Sequence, residues 1–343
     1  MHKFQRILLS LVVAALLVVG TGVATKAQDK TGWPETFIIG VYPGDNIEKA
    51  IASNQPLADY LTKTLGVRTV IITGTSYNAV IEAMRAGRAD AFEVGPFSYT
   101  LAAAVANADA IAVADYSTTV NLERIPGYYS VMITLKGSGI KSIADLKGKT
   151  FSFTDPASTS GYLVPSNDIM ADQKFTDVSE IDGFVGKTVF AGNHPASVLS
   201  VAQGKTDAGA TFDDNLADQV KAGAAKICGA TDDHATNPFH SALTQEQIMK
   251  FYDECPDGDV VVFHQSPLIP QTPFAINKDL PESFKAAVTD ALLNIYKDTE
   301  LVNALGRYYV DPRTINKELK TIDALYDPLR EIATNLKIDL TKR

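Results

Sequence analysis

The residues with the clearest chemical potential form the run Asp155-Pro156-Ala157-Ser158-Thr159-Ser160-Gly161-Tyr162-Leu163-Val164-Pro165. The alternating segment 150–154 before it predicts a strand, and the segment 162–172 after it predicts a helix. A helix N-terminus offers unpaired N–H groups and the positive end of the helix dipole, and the three hydroxyls add further donors. The run is therefore a candidate pocket for a tetrahedral oxyanion, although a single serine or threonine that caps the helix explains part of the same pattern.

The charge balance indicates how such an anion would be held. The chain contains 31 Lys and Arg against 40 Asp and Glu, a formal net charge of −9, and no Lys or Arg occurs between residues 151 and 173. A chain this acidic is a poor general binder of nucleic acid or of anionic membranes. We therefore expect no nucleic-acid partner, and we expect anion capture by local dipoles and hydrogen bonds.

The N-terminal segment has the pattern of a secretory signal. Lys3 and Arg6 precede an apolar stretch at 7–19, and small residues lead up to Ala27. This predicts a cleaved signal peptide over residues 1–27, since the apolar stretch is too short for a convincing membrane span. No cysteine follows the apolar stretch, so no lipid anchor is expected. Cleavage removes three positive charges and lowers the formal net charge to about −12.

The rest of the chain alternates strands and helices with short links, which predicts an α/β fold with parallel sheets. About 316 residues exceed one comfortable core, so two lobes are expected. A proline-rich segment at 266–273 is suited to cross between them. The predicted strands lie at 36–42, 67–73, 89–94, 110–116, 127–134, 150–154, 188–191, 208–212, 260–265 and 274–277, and the predicted helices at 46–65, 77–86, from 95, 162–172, 196–202, 215–222, 281–301 and 315–336.

Two cysteines, Cys228 and Cys255, bound a polar segment that reads as an insertion. In an oxidising compartment such a pair is most simply a disulfide, and two buried thiols remain the alternative.

Three segments together resemble the periplasmic phosphonate-binding proteins of ABC importers, a branch of the type II periplasmic binding proteins. They are the run at 155–165, Ala191-Gly192-Asn193-His194-Pro195-Ala196-Ser197, and Ser266-Pro267-Leu268-Ile269-Pro270, supported by Gly127-Tyr128-Tyr129-Ser130-Val131. The resemblance implies a periplasmic two-lobed clamp that closes on a solute and docks on a membrane permease. Each lobe is a mostly parallel sheet flanked by helices, with residues 28–133 and 266–343 in the first lobe and 134–265 in the second.

The resemblance also implies roles for individual residues. Ser158, Thr159 and Ser160 match the hydroxyls that hold the oxyanion, His194 matches a histidine that contacts it, and Tyr77 matches a tyrosine that reaches across the cleft. For His194 the position at a strand-to-helix junction supports an anion contact, although a capping or solvent-facing histidine fits the spacing as well. Asp214 matches an acid that meets the amino group of aminoalkyl phosphonates. Further candidates for the cleft are Tyr42, Glu93, Val94, Asp213 and Thr272.

The chain departs from the resembled pattern at two positions. Thr272 stands where aminophosphonate binders carry a second acid, and the strand end Phe92-Glu93 lacks the tyrosine of some relatives. These departures favour a small or uncharged substituent on phosphorus, as in phosphite or methylphosphonate, over aminoethylphosphonate. Glu93 could restore a carboxylate, and sulfate, phosphate or arsenite are sterically possible ligands.

Rival functions are weaker. Ser160, His194 and Asp213 or Asp214 supply the residue types of a hydrolytic triad, but the G-x-S-x-G elbow is missing, so we expect no catalytic residues. We also expect no metal and no cofactor, because the spacing of the histidines matches no compact ligand motif. The three outer histidines should be surface residues: His234, His240 and His264. A periplasmic receptor that senses an oxyanion for a kinase remains open, and a monomer is expected.

Overall fold

The structure is a computed structural model that describes residues 29–44 and 46–341, and the predicted signal peptide lies outside these residues. From Gly32 onward the chain forms one unit, to which the description below refers. The strands are β1 (Thr36–Val41), β2 (Arg68–Ile72), β3 (Ala91–Glu93), β4 (Ala108–Asp115), β5 (Gly127–Tyr128), β6 (Ser130–Leu135), β7 (Thr150–Phe153), β8 (Lys187–Phe190), β9 (Ala208–Phe212), β10 (Val260–Gln265), β11 (Ile269–Pro270), β12 (Pro273–Asn277) and β13 (Tyr308–Val310).

The helices alternate with these strands. They are α1 (Ile47–Leu65), α2 (Tyr77–Arg85), α3 (Pro96–Val105), α4 (Val164–Gln173), α5 (Glu180–Phe184), α6 (His194–Ala202), α7 (Asp213–Lys221), α8 (Gln245–Glu254), α9 (Glu282–Asn294), α10 (Thr299–Leu305) and α11 (Asp327–Asn335). Within the described residues, none of them combines the length and the apolar character that crossing a membrane requires.

The first lobe is built on a six-stranded sheet in the order β13-β4-β12-β3-β1-β2. Strand β1 pairs in parallel with β2 and β3, and β12 inserts antiparallel between β3 and β4. Helix α1 packs against β2, and its buried residues Leu57, Leu61 and Leu65 recur at the spacing of one helix face. The predicted strand–helix alternation is therefore confirmed for this lobe.

The second lobe is built on a five-stranded sheet in the order β10-β6-β9-β7-β8. Strand β7 pairs in parallel with β8 and β9, whereas β6 lies antiparallel between β9 and β10. Val131, Ile133, Val198 and Leu216 belong to an apolar cluster on this sheet. Cys228 and Cys255 form a disulfide with a Cα–Cα distance of 5.8 Å, so the predicted pairing is confirmed.

Two short strands join the lobes. Strands β5 and β11 pair antiparallel, with Tyr128 opposite Ile269, and so bring the two crossing segments together. The predicted strand 127–134 is split at Tyr129 into β5 and β6. The boundary predicted at residue 133 falls inside β6, which pairs entirely within the second sheet. The expected two-lobed α/β architecture is confirmed, but the expectation of mostly parallel sheets is wrong. Three of the five strand pairings in the first sheet and two of the four in the second are antiparallel, because β12 and β13 return to the first sheet, and β6 and β10 join the second, in the opposite direction to their neighbours.

The C-terminal region differs from the sequence-based prediction. The predicted helix 281–301 is divided into α9, a 3-10 turn at Ile295–Lys297 and α10. The predicted helix 315–336 is wrong in its first half, where the chain forms short turns and α11 begins only at Asp327. Pro328 occupies the first turn of α11, a position that proline favours because its missing N–H costs nothing there. Strand β13 was missed, since its three residues pair with β4 far away in sequence.

Candidate functional site

The candidate residues lie at the carboxyl ends of strands. Parallel strands β7, β8 and β9 end at one edge of the second sheet, and this edge carries residues 155–160, His194 and the pair Asp213 and Asp214. Tyr42 follows β1 of the first lobe, and Tyr77 begins the helix after β2. The carboxyl edge is where open α/β sheets bind ligands.

Ser158 begins the helical segment of the run at 155–165. It caps a π-helical turn, Thr159–Leu163, that continues into α4, and its Oγ accepts a hydrogen bond from the Gly161 N–H at 3.1 Å. The Gly161 carbonyl accepts from the Thr154 N–H at 2.9 Å, and a Cβ at Gly161 would overlap the Thr154 side chain. Capping leaves Ser158 able to donate a hydrogen bond, because a hydroxyl that accepts from the backbone still has its own hydrogen.

His194 lies buried against this run, with 5% of the residue exposed. Its Nε2 is 3.3 Å from Ser158 Oγ, and its Nδ1 is 3.3 Å from Thr154 Oγ1 and 3.2 Å from Thr211 Oγ1. Burial lowers the pKa of His194 to about 3, so the ring is neutral at pH 7. A neutral imidazole has one donor and one acceptor nitrogen, which suits this ring of hydroxyls. Sequence reasoning missed Thr154 and Thr211, although hydroxyl residues at the ends of neighbouring strands were a usable signal.

Two tyrosines of the first lobe reach the same place. The Tyr42 hydroxyl accepts from the backbone N–H of His194 at 3.4 Å, and the ring centres of Tyr42 and Tyr77 lie 5.0 Å apart. The Tyr77 hydroxyl is bonded to Tyr42 and to Ser158, and burial raises the pKa of Tyr77 well above its ordinary value. Tyr77 therefore stays protonated and can donate a hydrogen bond.

Thr159 and Ser160 lie where the lobes bond to each other directly. Thr159 Oγ1 accepts from the Phe97 N–H at 2.9 Å, at the start of α3 in the first lobe. One residue further along α3, Ser98 Oγ donates to the Ala157 carbonyl at 2.8 Å. The Tyr128 hydroxyl, from the inter-lobe strand β5, bonds to the side chains of Thr159 and Ser160. Tyr128 was not predicted as a site residue, although its segment carried part of the resemblance.

Asp213 and Asp214 form a buried acid pair, with 0% and 3% of each residue exposed. Asp213 Oδ1 accepts from the Tyr129 N–H at 3.2 Å. His240 Nδ1 lies 2.9 Å from Asp213 Oδ2 and 3.0 Å from Asp214 Oδ1. Burial raises the pKa of Asp213 to about 6, and the hydrogen bond to Asp213 together with the adjacent Asp214 side chain raises the pKa of His240 to about 10. At pH 7 His240 is therefore an imidazolium that lies against the side chains of Asp213 and Asp214.

The three outer histidines, expected at the surface, are only partly exposed and each is paired with an acid. His240 and His264 have only 23% and 25% of their side chains exposed, and His234 has 36%. Each pairs with an aspartate: His264 Nε2 is 2.9 Å from Asp168 Oδ2, and His234 Nε2 is 3.0 Å from Asp218 Oδ1. Their partners are distant in sequence, so no local pattern revealed the pairing.

The donor atoms of Asp213, Asp214 and His240 lie within 4.8 Å of one another and could surround a metal cation. In its protonated form, however, His240 supplies the positive charge itself. This group therefore has an internal ion pair at the place where a metal would bind.

The remaining candidates lie in or beside the first sheet. Glu93 Oε1 is 3.0 Å from Arg307 Nε and accepts from the Tyr116 hydroxyl at 2.8 Å, so its charge is already paired inside the first lobe. Val94 is buried at the end of β3. Thr272 lies beside β4, and its hydroxyl donates to Gln271 Oε1 at 3.2 Å.

The two-lobed fold, with donors from both lobes gathered at the strand ends, is that of the type II periplasmic binding proteins. Residues 39–314 match the family of ABC transporter, phosphonate, periplasmic substrate-binding proteins, and the chain belongs to this family. The family consists of periplasmic binding components of transporters rather than enzymes.

Individual relatives agree with this assignment. The chain is 32% identical over 204 residues to the phosphate-import protein PhnD of Mycolicibacterium smegmatis, an alignment that covers 58% of this chain and 62% of that protein. It is 29% identical to the phosphonates-binding periplasmic protein of Escherichia coli over 81% of this chain and 70% of that one. The structure of PhnD1 from Prochlorococcus marinus in complex with methylphosphonate superposes with a TM-score of 0.63 at 21% identity, covering 89% of this chain and 100% of that one.

Proposed function

We propose that this protein is the solute-binding component of an ABC importer, that it captures a small phosphorus oxyanion between its lobes, and that it delivers the oxyanion to a membrane permease. The observation that carries the proposal is the convergence of Ser158, His194 and Tyr77 at one buried point. The names of the two curated relatives, one for phosphate import and one for phosphonates, support this ligand class.

The donors suit an anion that is held without a formal cation. Ser158 accepts from a backbone N–H and keeps its own hydrogen for donation, while Tyr77 remains a protonated donor. Hydrogen bonds to a charged oxygen are shorter and about twice as strong as neutral ones. In a buried site they gain further strength from the low local dielectric. The hydroxyls of Thr159 and Ser160 complete the proposed set.

The test is a ligand screen on the protein without residues 1–27. Thermal unfolding is followed in the presence of phosphite, methylphosphonate, aminoethylphosphonate, phosphate and sulfate, and the affinity of each hit is measured by calorimetry. We expect at least one phosphorus compound to raise the transition temperature, because only the folded clamp binds it. If no phosphorus compound shifts the transition, the ligand class is wrong.

Delivery to a permease needs a separate test. Deletion of the gene in the source organism should abolish uptake of the ligand identified in the screen. Unchanged uptake, with loss of a transcriptional response to the same ligand, would instead assign the clamp to a sensing pathway.

A further inference from the structure

The buried acid pair lies beside the proposed oxyanion site. Asp213 and Asp214 follow β9 directly, and Thr211 at the end of the same strand contacts His194 through its hydroxyl. Tyr128 lies between the oxyanion run and the acid pair. Its hydroxyl bonds to Thr159 and Ser160, and burial and the charge of Asp213 raise its pKa. A positive group on the substituent of a bound oxyanion would therefore be drawn towards these carboxylates.

Asp214 is the member of the pair with acceptor capacity left. Its Oδ1 is buried and accepts no hydrogen bond of acceptable geometry from the described residues, although the His240 ring lies 3.0 Å away. Asp213, in contrast, bonds to the Tyr129 N–H and to His240. Across the lobe boundary, the pKa of Asp115 in the first lobe is raised by burial and by the charge of Asp214 and lowered by that of His240, so the pair lies close to the first lobe.

His240 is held firmly in this position by its surroundings. It ends the short turn Pro238–His240 inside the segment that the disulfide closes. Asn237 Nδ2 donates to the Asp213 carbonyl at 2.9 Å, and Gln265 Nε2 donates to the Phe239 carbonyl at 2.8 Å. Gln265 Nε2 also donates to the Ser241 carbonyl at 3.1 Å, so the backbone is held on both sides of the histidine and the ring stays against the carboxylates.

We propose that His240 determines specificity by occupying, with its own positive charge, the position beside Asp214 that a ligand ammonium would need. An ammonium that approached Asp214 would lose its hydration and would meet a like charge, and neither cost would be offset, because His240 already balances the charge of Asp214. The site therefore selects oxyanions whose substituent is hydrogen or a small uncharged group. The inference rests on the proposed function and names the substrate class of the same cleft.

The experiment compares two ligands of nearly the same shape, aminoethylphosphonate and propylphosphonate, which differ in the ammonium charge. Their dissociation constants, and that of methylphosphonate, are measured at pH 7 with and without a chelator. We expect the wild-type protein to bind propylphosphonate more tightly than aminoethylphosphonate. In His240→Asn we expect the ratio of the two affinities to move at least tenfold towards aminoethylphosphonate, with methylphosphonate affinity largely kept. A purely structural role of His240 would weaken all three ligands together.

The matched control is His234→Asn, because His234 also approaches Asp214 but at 3.9 Å and with a more exposed ring. We expect the ratio of the two affinities in this control to stay near that of the wild type.

The proposal is overturned if the wild-type protein prefers aminoethylphosphonate, or binds the two ligands equally, or binds neither of them while it binds methylphosphonate. An unchanged ratio in folded His240→Asn also overturns it, as does a selectivity that disappears on adding the chelator, since His240 would then be a metal ligand. The wild-type comparison decides the matter even if His240→Asn does not fold. A protein that binds no phosphorus compound contradicts the proposed function itself.

Discussion

At the scale of single residues, the proposed site is a set of uncharged hydroxyl and imidazole groups that already hydrogen-bond within the protein. Ser158 accepts from Gly161, and His194 lies between hydroxyls on both ring nitrogens. Such groups can turn their hydrogens towards an anion without carrying a charge. The proposed anion would therefore be held by local hydrogen bonds in spite of the chain's net charge of −9.

Ser158→Ala and His194→Ala should each weaken oxyanion binding by about 1 to 3 kcal/mol, since a charged acceptor would lose one donor. Calorimetry with the best ligand of the screen measures the effect. Ser166→Ala is the matched control, because the Ser166 hydroxyl is buried without a hydrogen-bond partner among the described residues. Unchanged affinity in both site variants would refute the site assignment.

His194 should make the protein sensitive to acid. Its pKa is lowered to about 3 in the folded state, below the ordinary value of about 6.5. Between these two values the unfolded chain binds the extra proton, so the stabilising contribution is complete above pH 6.5 and is lost as the pH falls towards 3, by about 1.4 kcal/mol per pH unit. Urea unfolding of wild type and His194→Gln at pH 7 and pH 4.5 measures it. We expect the wild type to lose more stability on acidification, and parallel losses would contradict the burial of a neutral ring.

At the scale of elements, the start of α3 is a direct hydrogen-bonded contact between the two lobes, on which the proposed closure around a ligand would depend. Its Phe97 N–H and Ser98 hydroxyl bond to residues 157–159 of the second lobe. These bonds require the two lobes to be in contact, so they would stabilise an arrangement with the cleft closed over an arrangement with the lobes apart.

Ser98→Ala should therefore weaken ligand binding by about 1 kcal/mol, because the Ala157 carbonyl would lose its donor in the closed form. Thr100→Val is the control, since the Thr100 hydroxyl bonds to the Phe97 carbonyl within the same helix. Calorimetry and chemical unfolding together separate affinity from stability. Equal losses of affinity in the two variants would argue against a role of Ser98 in closure.

The disulfide belongs to the same scale, since it closes the segment that carries His240. Replacing Cys228 and Cys255 together by alanine should lower the free energy of unfolding by about 3 to 4 kcal/mol, because the loop spans 27 residues in sequence. Denaturant titration of the oxidised wild type and the double variant gives the difference. A loss well below 1 kcal/mol would mean that the bonds of Asn237 and Gln265 already hold the segment.

At the scale of the whole molecule, the two sheets are joined through the pair β5 and β11 and contact each other at residues 157–159. A ligand that favours the bonded arrangement should slow hydrogen exchange at the Phe97 N–H, whose acceptor lies on the other lobe. Amides of β4, paired within the first sheet, are the internal control. Mass spectrometry with and without ligand tests this, and equal exchange at Phe97 would argue against ligand-driven closure.

Much of the fold could be predicted, because strand and helix periodicity is local. The strands β9 and β10 were predicted with the bounds that the structure shows, and the disulfide followed from a single pair of cysteines. The failures were non-local. Strand β13 depends on pairing with β4, and the segment 315–322 has apolar residues at helical spacing (Ile315, Leu319 and Ile322) but forms turns and is mostly exposed.

The sequence by itself determined the class of protein and the oxyanion run, since strand, turn and helix start at 150–164 are encoded in adjacent residues. Only the tertiary structure decided which charges remain for a ligand. Glu93 is paired with Arg307, and Asp214 with His240, across 214 and 26 positions of the chain. The energy of an ion pair depends on the distance in space between its charges, and the partners here are far apart in the chain. No local pattern in the sequence could therefore have shown these pairs.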